Sequence, residues 1–233
     1  MAAYSLYYWP IPFRGQFVRA VLAHAGASWE EAGPPLVAAT RAAPPAEQPV
    51  PHMGPPVLTE TATGQSVSQM PAILMWLGER HGLLPDTAHG RAMALKVILD
   101  ANDVLSDMTR ANGAQMWTPA DWADFLPRLH RWMALFEATG TRHGLTPVSG
   151  TLLGTCAPGL ADLATATLWG TICARFPVLR PALDTHAPAV AALTDRIRAR
   201  AEQAALIAEG DAAWGDVWCG GQIEASLRRV LDP

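Results

Sequence analysis

The stretch that decides the fold is YSLYYWPIPFRGQFVRAVLAHAG, running from Tyr4 to Gly26. Tyr4, Leu6 and Tyr8 recur at period two, the spacing of one face of a β-strand, while Tyr7 and Trp9 take the other face. Pro10 and Pro12 end the ladder because neither can donate a hydrogen bond. From Arg14 onward, Phe17, Val18, Val21, Leu22 and Ala25 fall at helical spacing. Gly26 supplies the stop. The chain therefore opens with a strand that turns a proline corner directly into a helix.

A second short strand is predicted around 27–31. The segment GPPLVAATRAAPPAEQPVPHMGPP that follows has little to bury and few donors to pair, and reads as a long surface loop. PVLTETATGQSV gives two strands about a TATGQ turn, a hairpin. SQMPAILMWLGERHG then reads as a helix, with Pro71 at its start, Ile73, Trp76 and Leu77 on one side, and Gly82 as its stop. That completes a βαβ-ββα unit near residue 85, and the rest is helical by pattern. A long helix built on Met93, Val97, Leu99 and Val104 is expected to run to Gly113. A second starts at Thr118 and carries Pro127, which predicts a kink. A third, apolar nearly all round, spans Leu160 to Phe176. Amphipathic pieces at 189–207 and 223–231, joined by a tryptophan-bearing link, close the bundle. The expected domains are 1–85 and 86–233.

Half of the 233 residues are hydrophobic and 16% are charged, yet no apolar run approaches the ~20 residues of a membrane helix. A net charge of −4 without a block of like charges leaves no footprint for nucleic acid. The first ten residues lack the basic-then-apolar pattern of a secretory signal, so a cytoplasmic location and no membrane partner are expected. Cys156, Cys173 and Cys219 are odd in number and far apart, which suggests neither a disulfide framework nor a metal site.

The order and spacing of three segments resemble the cytosolic glutathione transferases of the tyrosine type, in a bacterial-like form. The first is Tyr4, Leu6, Tyr8, Trp9 and Pro10 with Arg14 and Arg19. The second is GPPVLTETATGQSVSQMPAILMWLGERHGLLP, and the third is GLADLATATLW. The resemblance implies an α/β thioredoxin-like N-terminal domain followed by an all-α helical bundle. It also implies glutathione as co-substrate without a metal, a small hydrophobic electrophile as second substrate, a homodimer, and a role in detoxification. Two residues depart from the family pattern: Met70 stands where a serine usually follows Gln69, and Gly159 replaces the Ser or Thr cap before Asp162.

The chemistry such a site needs is a thiolate, because a thiol with a pKa of about 8.5 is only a few per cent ionised at neutral pH. A phenol keeps its proton there and can donate it to sulfur in a charge-assisted hydrogen bond. Tyr8 is the expected catalytic residue, at the family position and on the face of Tyr4 and Leu6; Tyr7 is its rival. The resemblance places Arg14 beside the thiol. It also makes Pro56 a cis-proline whose turn bares the main chain of Val57 for pairing with the tripeptide, and sets Gln69 and Met70 at a helix start that favours a carboxylate. Asp107 either reaches a partner subunit's glutathione amine, as the resemblance suggests, or belongs with Asp103 to a solvated face. The second-substrate wall is expected from Trp9, Ile11 and Phe13 with Met108, Met116 and Trp117, although a Met and Trp stripe at helical spacing equally describes a core. The alternative function is a protein of the same fold that binds glutathione or apolar ligands without turnover.

Overall fold

The computed structural model describes residues 2–231. Four strands form one mixed sheet in the order β2-β1-β3-β4, with β1 (Tyr4–Tyr7), β2 (Trp29–Glu31), β3 (Val57–Glu60) and β4 (Ser66–Ser68). β1 runs parallel to β2 and antiparallel to β3, and β3 and β4 form the expected hairpin. The parallel pair requires a crossover, which α1 (Arg14–His24) provides. Tyr4, Leu6 and Tyr8 are buried, while Ser5 and Tyr7 on the opposite face are half-buried, as the period-two reading requires.

The segment expected to be a loop contains a helix, α2 (Pro34–Ala42). Its prolines stand in the first turn, where their missing N–H groups cost nothing, and Val37 anchors it at 2% exposure. Gln48 closes its far end, donating from Nε2 to the carbonyls of Thr40 and Ala43 at 3.3 Å each. α3 (Met70–Arg80) follows β4 and completes the thioredoxin-like part.

The remainder is a helical bundle. α4 (Ala88–Met108) buries Ala94, Val97, Ile98, Ala101, Val104, Leu105 and Met108. Leu99, expected inside, is 44% exposed because the buried face passes through Ile98 instead. The helix also stops short of Gly113. Beyond Thr109 the residues labelled α5 (Arg110–Gly113) form a left-handed turn with φ of 47° at Arg110, 55° at Ala111 and 60° at Asn112. α6 (Pro119–Arg142) is capped by the Thr118 hydroxyl and runs through Pro127. The central α7 (Leu160–Arg175) is buried at every residue from Leu160 to Ile172. α8 (Arg180–His186), α9 (Pro188–Arg198), α10 (Ala201–Trp214) and α11 (Gly221–Leu231) complete the bundle. The piece expected at 189–207 is thus two helices, broken where Arg200 turns extended with ψ 141°.

Gly159 has a spatial reason. A Cβ there would lie 2.8 Å from the Leu83 carbonyl oxygen, which accepts the N–H of Leu160 at 3.0 Å. The start of α7 is therefore pressed against the strand of chain leaving α3. Asp162 does the capping instead, taking the N–H of Gly159 at 2.9 Å and of Leu152 at 2.7 Å. Burial raises its pKa, and those amides hold it down. No helix among the described residues is long and apolar enough to cross a membrane.

Candidate active site

Tyr8 follows directly on β1, and its ring lies on Gly15 in the first turn of α1. A Cβ at Gly15 would fall 2.2 Å from Tyr8 Cδ1, so only glycine lets the ring approach. The side chain is 5% exposed. Burial pushes the phenol up to about 12, opposed by the charge of Arg14, the amide of Arg14, the charge of Arg19 and the amide of Gly15. At neutral pH the group is a proton donor next to a cation. Tyr7 is half-buried on the other face.

Arg14 is not a solvent-exposed residue. Its Nε donates to Asn102 Oδ1 on α4 at 2.9 Å and its Nη1 to Asn112 Oδ1 in the left-handed turn at 2.9 Å. Burial lowers its pKa, while Tyr8 and Cys219 raise it. It ties the strand-helix corner to the helical bundle while remaining within electrostatic reach of the Tyr8 hydroxyl.

Arg19 has a larger part than the sequence suggested. It is 1% exposed and grips Glu31 with both arms, Nε at 2.8 Å and Nη2 at 3.0 Å. It also donates to the carbonyls of Ile11 at 3.0 Å and Trp9 at 3.1 Å. The Trp9–Phe13 corner is thereby fixed from behind. The available signal was an arginine set among the apolar residues of a buried helical face, with two acids, Glu30 and Glu31, at the end of the next strand.

The Pro55–Pro56 peptide bond is cis, as expected. The reading of Val57 needs correction. The Pro56 carbonyl accepts Gln69 N–H, which makes Val57 and Ser68 a non-hydrogen-bonded pair, and by the alternation of an antiparallel ladder the main chain of Val57 turns to Tyr7. Its N–H and C=O are already used inside the sheet. Gln69, exposed and at φ 73°, heads α3. Because Pro71 has no N–H, the donors free at that helix start are the amides of Met70 and Ala72. The Met70 side chain is fully buried in the core.

Asp107, near the end of α4, is half-buried. Its Oδ2 accepts from Arg128 Nε at 2.7 Å and Trp132 Nε1 at 2.8 Å, so α6 of the same chain holds it. Asp103 is exposed. Of the expected second-substrate wall, Met108 and Trp117 are core residues at 0% and 6% exposure, and Trp117 donates its indole N–H to the Met108 carbonyl at 2.9 Å. Phe13 is buried edge-on against Trp218 at 5.1 Å. Trp9, Ile11 and Met116 are half-buried. The loop before α11 was missed. Glu224 Oε2 gathers the N–H groups of Trp218 (3.0 Å), Cys219 (2.8 Å) and Gly220 (2.6 Å), setting that loop against Phe13.

A family model described as "Glutathione S-transferase, C-terminal domain" matches residues 93–230, more than half of the chain. The chain belongs to the glutathione S-transferase family. It resembles a glutathione S-transferase from Methylobacterium radiotolerans JCM 2831 solved with glutathione sulfonate, with 25% identity, TM-score 0.63, and 87% of this chain and 93% of that one covered. A Nu-class transferase from Haemonchus contortus aligns at 20% identity and TM-score 0.69, covering 89% of this chain and 97% of that one. A nematode-specific transferase of C. elegans aligns at 22% and 0.65, with 89% and 97% covered. These last two speak for the fold alone. No curated protein sequence matches.

Proposed function

We propose that this glutathione S-transferase joins the sulfur of glutathione to a small apolar electrophile, with Tyr8 holding the thiolate and Arg14 beside it. The observation that carries the reading is the Tyr8 phenol, buried at the strand-helix corner, kept protonated by a pKa near 12, and set in the field of Arg14. A donor of that kind favours the anionic form of a thiol placed against it. Pro56 shapes the adjoining turn. Gln69 and the Met70 amide at the start of α3 receive a carboxylate of the tripeptide, and Trp9, Ile11 and Met116 face the electrophile. The domains are 1–85 and 86–233, and the protein works in the cytoplasm. A homodimer through the outer faces of α3 and α4 accounts for the exposed Leu99 and the half-buried Met75 and Trp76. Light scattering at twice the 24.9 kDa chain mass checks that pairing.

Tyr8→Phe is the test. If Tyr8 lowers the bound thiol by about two pKa units, roughly 2.7 kcal/mol, the variant returns the thiol to about 8.5 and loses about a hundredfold in kcat/KM. Ultraviolet titration of bound glutathione reads the first, and conjugation of chlorodinitrobenzene the second. An unchanged thiol pKa defeats the assignment, and the same effect from Tyr7→Phe transfers it. A ligand-binding protein without turnover is the second reading. It is favoured by Met70, whose buried side chain leaves no hydroxyl for the carboxylate. Saturable glutathione binding with no conjugation would select it.

A further inference from the structure

Away from the Tyr8 corner, a cavity of about 270 Å³ opens between α7, α8 and α9. Three of its lining side chains are donors without an acceptor among the described residues. Trp169 is fully buried with its indole Nε1 unpaired, and Thr194, 1% exposed, has an unpaired hydroxyl. The third is Arg198, whose half-buried guanidinium feels Asp211 and Asp195 only through space. Those carboxylates have nearer partners: Asp195 is held by two nitrogens of Arg180 at 2.8 Å each, and Asp211 by Arg175 at 2.6 Å. Asp184 is bound to Arg180 as well, at 2.8 Å.

The seat of Arg198 is built into α7. A Cβ on Gly170 would lie 2.4 Å from Arg198 Cδ and 2.9 Å from its Nη1, so the glycine makes room for the side chain to cross the helix. The rest of the wall is mostly apolar, with Cys173, Pro177 and Leu183, and it also carries the mutually paired Arg180 and Asp195. Burial pushes that thiol up to about 12, which leaves it neutral. Buried donors left unpaired in a native protein call for an acceptor, and a guanidinium adds the preference for a negative one.

We propose that this cavity is a second ligand site, for a small monocarboxylate with a compact apolar body, held by Arg198, Thr194 and Trp169. It shares none of these residues with the Tyr8 and Arg14 site. The probe is benzoate, titrated calorimetrically into the full chain with and without saturating glutathione, with methyl benzoate as its uncharged counterpart. One benzoate binds per chain regardless of glutathione, and the ester binds at least about tenfold more weakly. Thr194→Val removes an unpaired hydroxyl at constant shape, so it keeps the fold while weakening benzoate about fivefold or more. Arg198→Lys and Gly170→Ala, which displaces the guanidinium, weaken it as well. No saturable binding, equal affinity for the ester, displacement by glutathione, or full affinity in Thr194→Val and Arg198→Lys overturns the proposal.

Discussion

The corner from Tyr8 to Arg19 and the turn from Thr109 to Gly113 are joined by Arg14, and they are built in opposite ways. In the corner a buried guanidinium makes four hydrogen bonds to two loop carbonyls and one carboxylate, and a ring lies on a glycine. In the turn, three consecutive non-glycine residues sit at positive φ near the surface, held by the Thr109 hydroxyl and by Arg14. The left-handed region costs an L-residue about 1–2 kcal/mol. One side is fixed by the buried bonds of Arg19. The other holds backbone strain against a few exposed bonds. The side that carries the Tyr8 phenol is the more heavily bonded one, and the strained side borders the half-buried Met116.

The largest effect should come from breaking the corner. Arg19→Met leaves the Ile11 carbonyl unpaired, takes one of two donors from the Trp9 carbonyl, and leaves Glu31 with only the Trp29 indole N–H. Because the Glu31 side chain is 39% exposed and can turn to water, we expect a loss of about 3 kcal/mol, the low end for a broken buried pair. Urea denaturation measures it, and an equal loss from Asn112→Ala would erase the contrast between the two regions.

Alkali should act on the corner next. A pKa raised from 10.0 to about 12 means that folded Tyr8 holds its proton more tightly than the unfolded chain does. Its stability is present below pH 10 and lost as pH rises through 12, amounting to roughly 2.7 kcal/mol. Cys173 and Cys219, raised from 9.0 to about 12, add a loss of the same sign beginning near pH 9. Denaturation curves across this range should be shallower in pH for Tyr8→Phe, with the thiol part and that of Tyr4, which burial also raises, remaining. Identical curves would mean the phenol is not buried.

The smallest change sharpens the other side. Ala111→Gly relieves the residue at φ 55° while its side chain is exposed, so a gain of about 1 kcal/mol is expected. A raised melting temperature reports it, and a lowered one would show that the turn carries no strain.

The corner was legible because each of its signals is local: period two, two prolines, then helical spacing. The hairpin was legible for the same reason, and the cis-proline only through the family resemblance. α2 was not, since its prolines look like loop punctuation until their place in the first turn is known, and its far end is capped by Gln48 from outside. The turn at 110–112 had no local mark before Asn112 and Gly113, because Arg14, far off in sequence, joins the local bonds of Thr109 in holding it. Val57 was misread because ladder phase decides where a main chain points, and phase depends on strands far apart in sequence. The ties of Asp107 were not legible because its partners, Arg128 and Trp132, lie 21 and 25 residues further along the chain, on α6.

The close approach of Gly159 to the Leu83 carbonyl has a consequence for descent. A serine or threonine at 159 would meet that oxygen at 2.8 Å, so the side chain usual in relatives cannot simply be restored here. The segment around Leu83 must first move away from α7, and that movement gives up the bond from Leu160 to Leu83. Inheritance at the two positions is coupled. Grafting either segment from a relative that carries a hydroxyl at this position should succeed only when both are exchanged together, whatever the overall identity of the donor.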